Sequence, residues 1–305
     1  MTSPLPRALD YALLIALAAI WGGSFMLIKL AIVSVPPVTM TAARVAIGGL
    51  FFVAVLLLTG RRLPSDPRVW GWAALAGIFG FALPFSLIAW GEERIDSGLA
   101  AILMAGMPLM TLLLARFVSG KEPLTAAKLV GVGFGVAGLV ILIGPQKLAA
   151  LGDDAVRQIA VVAASFCYAV NAIVTKRIAR QDPYAVSAAI MITSAALLLP
   201  ASIAHDAPWT LAPTGTAWFA LLMLGVFPTA LASLAMLALL RRQGAGFFAQ
   251  INFLVPLFGV FWGFAVLSER PPASALTALA VILAGIAISR GSFGLPRPLS
   301  TETLK

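Results

Sequence analysis

The sequence has little of what catalytic centres and disulfide-stabilised folds use. Its 305 residues include one cysteine, Cys167, and one histidine, His205, and only 11% of the residues are charged. One cysteine excludes an intramolecular disulfide. No cluster of His, Cys and acidic residues has metal-ligand spacing, and no Gly-rich phosphate loop follows a strand. We therefore predict no metal and no cofactor, and an intramembrane enzyme is the least favoured function.

Apolar residues dominate what is there. They make up 61% of the chain, which leaves too little polar surface to cover a soluble globule. About 20 apolar residues cross a hydrocarbon core of roughly 30 Å as a helix. Ten such runs can be marked, too long and too uniformly apolar for barrel strands. The predicted fold is an all-α membrane protein with spans near 11–33, 38–58, 69–90, 98–118, 126–144, 158–179, 184–204, 216–240, 247–267 and 273–290.

The second half of the chain repeats the first at an offset of 147 residues. Matched pairs at this spacing are Trp21 and Tyr168, Lys29 and Lys176, Pro36 and Pro183, Ser86 and Ser233, Glu122 and Glu269, and Gly138 and Gly285. Each half holds five spans, an odd number, so the two halves enter the membrane from opposite faces. The sequence therefore predicts inverted repeats over 8–144 and 155–290, followed by a cytoplasmic tail over 291–305. Such repeats are typical of transporters with a binding site near the midplane.

Basic residues favour one side of the predicted bundle. Fifteen Lys and Arg residues fall on the side that holds both termini, and four fall on the other side. This asymmetry predicts that both termini are cytoplasmic. It also explains the net charge of +9 without nucleic-acid binding. Short loops favour a multi-pass protein of a bacterial cytoplasmic membrane, with the lipid bilayer as its surroundings.

Several motifs are similar to those of a known family. They are Trp21-Gly-Gly-Ser-Phe25 followed by Lys29, the Pro36-Pro37 turn with Arg44 in the next helix, Gly-Lys-Glu-Pro-Leu-Thr at 120–125 and Ser-Glu-Arg-Pro-Pro at 268–272. With these motifs the chain resembles the ten-span EamA-type proteins of the drug/metabolite transporter superfamily. The resemblance covers nearly the whole chain. It implies carrier-mediated movement of small metabolites, often export of amino acids or related compounds, and it leaves the substrate open.

Polar and aromatic residues inside the spans are the candidates for a substrate site. Trp21 and Ser24 share one helical face, and their repeat counterparts Tyr168 and Asn171 reproduce an aromatic and a polar group at the same spacing. Spans one and six can thus present matching walls to a small amphiphilic substrate. The alternative is interhelical packing with local hydrogen bonds.

Arg44 lies about two turns into span two, where an unpaired guanidinium is costly. Its fork of donors suits a substrate carboxylate or phosphate. The alternatives are that Arg44 snorkels to the external interface or binds helix carbonyls. A flippase or a carrier of lipid-linked substrates is the competing function within transport, because Arg44 is also the sole deep basic group for a phosphate head group.

Span nine begins with two more polar candidates. Gln250 and Asn252 precede Pro256, and they either line the cavity or compensate the backbone bond that this proline removes. Pro84, Pro108, Pro228 and Pro256 are predicted to kink spans three, four, eight and nine. They are candidate hinges for a carrier that alternates access, and the alternative is a static kink.

The acidic residues predict no proton coupling. No Asp or Glu falls in the middle of a span, which favours facilitated diffusion or exchange. Glu122 and Glu269 are expected to be caps or packing determinants, and Glu92 and Glu93 are expected in a solvated external turn. Gly131, Gly135 and Gly138 predict close helix contact in span five. We expect a monomer, because one chain already contains both repeats.

Overall fold

The computed structural model describes residues 8–119, 125–143 and 153–289, and these residues form ten helices without a β-strand. In chain order the helices are α1 (Ala8–Ile32), α2 (Pro37–Leu58), α3 (Pro67–Glu92), α4 (Ser97–Met104 and Met107–Ser119), α5 (Ala126–Ile143), α6 (Asp153–Val174), α7 (Pro183–Asp206), α8 (Gly215–Leu224 with its continuations Gly225–Leu231 and Ala232–Phe248), α9 (Ile251–Leu267) and α10 (Ala273–Ser289). The prediction of an all-α membrane protein is confirmed. Glu122 and the tail over 291–305 lie outside the described residues.

Seven of these helices are long and apolar enough to cross a membrane, and α5, α9 and α10 are shorter apolar helices. Large apolar side chains remain exposed on their outer faces, among them Leu57, Leu58 and Phe264. In a soluble protein so much exposed apolar surface would promote association, whereas lipid tails solvate it. The exposed faces therefore agree with a bundle surrounded by lipid.

The helix contacts have the symmetry of the repeat. Helix α1 packs against α8 and α9, and its counterpart α6 packs against α3 and α4. Helix α2 contacts α7, and α5 contacts α10. Each of these pairs joins equivalent helices of the two repeats. The interface between the two halves is consequently built from α1, α3, α4, α6, α8 and α9, with α2 and α7 beside them.

Two helices leave the regular α-helical pattern at matching positions. Residues Ile78–Ala82 of α3 and Gly225–Leu231 of α8 are π-helical, and the two segments begin 147 residues apart. A π-helical segment changes the direction of the side chains and often marks a functional site. Pro228 lies inside the second segment, and Pro84 follows the first by two residues.

The other two candidate hinge prolines have different surroundings. Pro108 follows a break in α4 at Ala105 and Gly106, where two residues leave the helix. Pro256 lies inside α9, which continues past it from Ile251 to Leu267. All four prolines thus stand in or beside helices at the interface between the repeats. Their role as hinges stays a prediction.

Helices α5 and α10 approach each other through glycine. A Cβ atom built on Gly131 would lie 2.5 Å from the Gly285 carbonyl oxygen, and one built on Gly285 would lie 2.7 Å from the Gly131 carbonyl oxygen. Gly138 similarly makes room for Ile282. The close contact predicted from these glycines therefore lies within one chain, between its two repeats.

Candidate functional site

Arg44 is buried between the two repeats. Its side chain is 3% exposed, and its Nε donates a 2.8 Å hydrogen bond to Oγ1 of Thr229 in the π-helical segment of α8. The Cζ atom lies 3.7 Å from the centre of the Phe85 ring in α3. Among the described residues no carboxylate lies within ion-pair distance of this guanidinium. Arg44 therefore neither snorkels to the interface nor binds a helix carbonyl.

The position of Arg44 follows from the helices around it. Thr229 accepts from Arg44 and itself donates to the Leu224 carbonyl, five residues earlier, as the π-helical backbone allows. The ring of Phe85 provides a negative face for the cation. Tyr168 of α6 is close enough to the guanidinium to interact with it electrostatically. Helices α2, α3, α6 and α8 thus meet at one buried cation, and two of them belong to each repeat.

Trp21 lies at the same interface. Its Nε1 donates a 3.1 Å hydrogen bond to the carbonyl oxygen of Pro228, which joins α1 to the π-helical segment of α8. Ser24, one turn later, is buried and donates to the Trp21 carbonyl within its own helix. In this structure both polar groups are therefore engaged in helix-to-helix and local hydrogen bonds.

The counterparts of these residues contact the other π-helical segment. The Asn171 amide lies against Gly80 of α3, where an added Cβ would come within 2.7 Å of Nδ2. The buried Oδ1 atom of Asn171 has no hydrogen-bond partner. Tyr168 packs between two apolar clusters of the bundle. The structure thus brings Arg44 and Tyr168 together and leaves Asn171 with an unused acceptor.

Gln250 and Asn252 lie at the junction of α8 and α9. Gln250 is exposed, and the Nδ2 of Asn252 donates a 3.0 Å hydrogen bond to the Ala249 carbonyl in the same turn. Inside α8, six residues before Gln250, Gly244 interrupts the helix with φ of 78°, a left-handed conformation that favours glycine. The described hydrogen bonds of Asn252 stay within the junction and do not reach Arg44.

We call the side of the bundle at which α1 and α3 end the acidic side, and the side at which they begin the basic side. On the acidic side, Glu269 follows α9 and caps α4. Its carboxylate accepts hydrogen bonds from the backbone N–H of Ser97 at 2.8 Å, from the N–H of Gly98 at 3.0 Å and from the Ser97 hydroxyl at 2.9 Å. The expectation of a cap is thus confirmed for Glu269, and the helix that it caps belongs to the other repeat.

Lys29 forms a second contact on the acidic side. Its ammonium donates to the backbone carbonyl oxygens of Glu92 and Ile95, where α3 ends. A cation at a helix C-terminus is favoured by the exposed carbonyls and the helix dipole. The end of α1 is therefore fixed to the end of α3. Its counterpart Lys176 is exposed in the turn after α6.

Glu92 is not in a solvated turn, and that prediction was wrong. The residue is 0% exposed, and neither carboxylate oxygen has a hydrogen-bond partner. Its neighbour Glu93 is exposed and forms an ion pair with Arg157. The helical rotation of α3 directs consecutive residues to different faces, so Glu92 points inward. The Gly-Glu-Glu spacing alone does not reveal which of the two acids is inside.

The model of the EamA-like transporter family matches residues 9–144 and again residues 157–291. The chain belongs to the EamA-like transporter family. The resemblance drawn from its motifs is thereby confirmed, and the protein is a membrane transporter.

Individual relatives of this EamA-like transporter agree. An uncharacterised inner membrane transporter of Escherichia coli, YedA, is 26% identical over 288 residues, which are 94% of this chain and 92% of YedA. An aromatic amino acid exporter of Ancylobacter novellus, YddG, is 26% identical over 264 residues, 84% of this chain and 88% of the exporter. These names point to transport and not to an enzyme.

A solved protein structure has the same fold. It superposes with a TM-score of 0.65 at 22% sequence identity, covering 93% of this chain and 98% of the other. At this identity the likeness shows the fold alone.

Three residues of the site have no signal in the sequence. Thr229 and Phe85 are one hydroxyl and one phenyl ring among many, and they reach Arg44 through tertiary contacts of α8 and α3. Glu92 resembles an ordinary loop acid. The residue at the Glu92 position in the second repeat is Leu239, which is fully buried in the structure.

Proposed function

We propose that this transporter exports amino acids or related small amphiphilic compounds, and that Arg44 binds their carboxylate. One observation carries the proposal: the Arg44 guanidinium is buried between the repeats without a carboxylate partner among the described residues. A buried cation is costly unless it is paired, so its retention favours a ligand of opposite charge. A planar guanidinium pairs well with a carboxylate through two parallel hydrogen bonds.

The surroundings of Arg44 favour a substrate with an aromatic or large apolar side chain. Phe85 supplies a ring surface beside the guanidinium, Tyr168 lies within electrostatic reach of it, and Trp21 and Asn171 lie along the neighbouring π-helical segments. Aromatic walls with a few polar groups are typical of small-molecule sites. The similarity to an aromatic amino acid exporter supports the same substrate class.

Transport is proposed to follow alternating access, with the basic side in the cytoplasm. Glu269 and Lys29 hold α4 and α3 on the acidic side, and α9 packs against the first segment of α4 there. The second segment of α4 packs against α6. Substrate would enter from the basic side and leave after the contacts on the acidic side have opened. Rocking of one repeat against the other is the expected motion.

Counterflow in proteoliposomes tests this function. The native protein, Arg44→Ala and Asn171→Ala are compared with Arg62→Gln, which removes an exposed charge, for a labelled panel of amino acids and other metabolites. We expect saturable flux of one class in the native protein and in Arg62→Gln. Arg44→Ala should lose it, and Asn171→Ala should weaken it. Circular dichroism and gel filtration establish that each variant is folded.

The competing function is a carrier of lipid-linked substrates. It has the same requirement for a deep cation, here to bind a phosphate head group. Absence of flux for every water-soluble compound, with folded native protein, would contradict amino-acid export. A flippase assay with a fluorescent phospholipid in the same liposomes would then decide between this carrier and an inactive preparation.

A further inference from the structure

Glu92 is a buried carboxyl group that the proposed substrate site does not use. It is 0% exposed, and neither Oε1 nor Oε2 has a hydrogen-bond partner. An ionised carboxylate is costly in such surroundings, and a buried acid without a partner takes up a proton instead. The geometry therefore describes a carboxylic acid in the neutral form.

The charged groups that face Glu92 come from several elements. Lys29 of α1, Arg44 of α2 and Glu269 beyond α9 act on it electrostatically. Lys29 directs its ammonium to backbone carbonyls at the end of α3, including that of Glu92. On α6, Arg157 is directed to Glu93 and to the Trp90 carbonyl. None of these cations forms an ion pair with the Glu92 carboxyl.

Glu92 lies among the helix contacts on the acidic side. Its backbone carbonyl binds Lys29, and the Glu269 carboxylate that caps α4 lies close enough to act on it. Closer to solvent, Asp96 is exposed and lines a small cleft together with Glu269. Partial burial and the Glu269 carboxylate raise the pKa of Asp96. Solvent thus reaches Asp96 beside Glu269, while Glu92 is buried.

The repeat provides an internal comparison. Residue Leu239 stands at the equivalent position of α8, and it is 0% exposed. An apolar side chain therefore fills this position in one half of the bundle. Packing at this position therefore does not require a carboxyl group. Unlike the side chain of Leu239, that of Glu92 can bind a proton.

We propose that Glu92 is a proton-binding site whose occupancy holds the acidic side closed. In the closed form the carboxyl is buried and neutral. When α3, α4 and α9 separate, water reaches the group and the proton dissociates to that side. Because the closed form holds more protons than the open form, raising the pH on the acidic side favours opening. This inference rests on the proposed alternating access, which it supplements with a regulated step.

Glu92 is the last residue of α3, so it is a buried acid at the end of a span and not in its middle. The proposal concerns occupancy and closure, so it needs no fixed ratio of protons to substrate. A substrate-free measurement can test it, and the result is independent of which compound is carried.

Two spectroscopic readouts test the proposal on the full chain in lipid nanodiscs. Infrared spectroscopy follows the band of a protonated carboxyl group in native protein, Glu92→Gln and Glu92→Leu. Spin labels on Asp96→Cys and Arg270→Cys, both exposed positions, report the width of the acidic side in a Cys167→Ser background. Asp154→Asn, a change at another exposed acid, is the matched control.

We expect one protonated-carboxyl band at neutral pH that is absent from both Glu92 variants. With rising pH the label distance should increase in the background protein and in Asp154→Asn, and Glu92→Leu and Glu92→Gln should lose that response. The same band in a Glu92 variant, or an unchanged pH response in Glu92→Leu, would overturn the proposal. The equivalence with Leu239 makes Glu92→Leu the variant that retains packing. Parallel counterflow of native protein separates the two proposals, since a pH response without amino-acid flux would refute only the export function.

Discussion

Nε of Arg242 donates a 2.8 Å hydrogen bond to Oδ1 of Asp10, which lies 232 positions earlier. This pair joins the end of α8 to the start of α1 on the basic side. On the acidic side Arg157, the repeat counterpart of Asp10, joins the start of α6 to the end of α3 through an ion pair with Glu93. The same helix contact is therefore made twice with the charges exchanged, which helps each half to choose its partner.

The contact between Asp10 and Arg242 predicts that replacing either residue changes the stability of the fold by a different amount. Asp10 is 0% exposed, whereas the Arg242 side chain is 41% exposed. Arg242→Ala removes a guanidinium that binds this buried carboxylate, which also accepts from Nε2 of Gln243, and it should destabilise the fold by about 1–3 kcal/mol. Asp10→Asn removes the charge itself and should cost less. Thermal unfolding in detergent measures both, and a larger loss in Asp10→Asn would contradict this order.

The Glu269 cap predicts local opening at the start of α4. Glu269→Ala leaves the N–H groups of Ser97 and Gly98 without their acceptor, a loss of about 0.5–2 kcal/mol for a helix cap. Hydrogen exchange in the peptide that covers these residues should become faster. The exposed acid change Asp154→Asn is the control. Equal exchange in Glu269→Ala and the native protein would show that the carboxylate does not hold α4.

The contact between α5 and α10 predicts a sharp dependence on position. Gly131→Ala would place a methyl group 2.5 Å from the Gly285 carbonyl oxygen and should cost about 1–3 kcal/mol. Gly133→Ala is the matched control, because its Cβ meets nothing within 4 Å. Replacing glycine by alanine in a helix otherwise favours folding. Unfolding by heat in detergent should thus rank Gly131→Ala below the native protein and Gly133→Ala at or above it.

The turn before α7 predicts a dependence of stability on pH. Burial of Asp182 opposes its ionisation, but hydrogen bonds from the Tyr184 N–H and the Arg61 guanidinium outweigh burial and lower the pKa of Asp182. A lowered pKa in the folded state contributes stability that is complete above the usual pKa of Asp and is lost as the pH falls through the lowered value. Asp182→Asn should remove this acid-dependent part of the unfolding curve. An identical pH profile in Asp182→Asn would refute the assignment.

The sequence predicts the helices well because hydropathy and the 147-residue repeat are properties of short segments. Arg44 could likewise be selected from its depth in α2. The contacts around it depend on the approach of distant helices: Thr229 meets Arg44 across 185 positions, and the π-helical segments that orient α3 and α8 have no simple sequence signal. Glu92 was misassigned for the same reason, since its burial follows from helix packing and not from its neighbours in sequence.

The central claim is that Arg44 binds the carboxylate of the transported compound. The most direct measurement compares counterflow of labelled phenylalanine with that of phenethylamine, which lacks the carboxylate, in native protein, Arg44→Gln and the control Arg62→Gln. We predict that native protein and Arg62→Gln prefer phenylalanine, and that Arg44→Gln loses this preference while it remains folded. Retention of the full preference for phenylalanine in Arg44→Gln would show that Arg44 does not bind the substrate carboxylate.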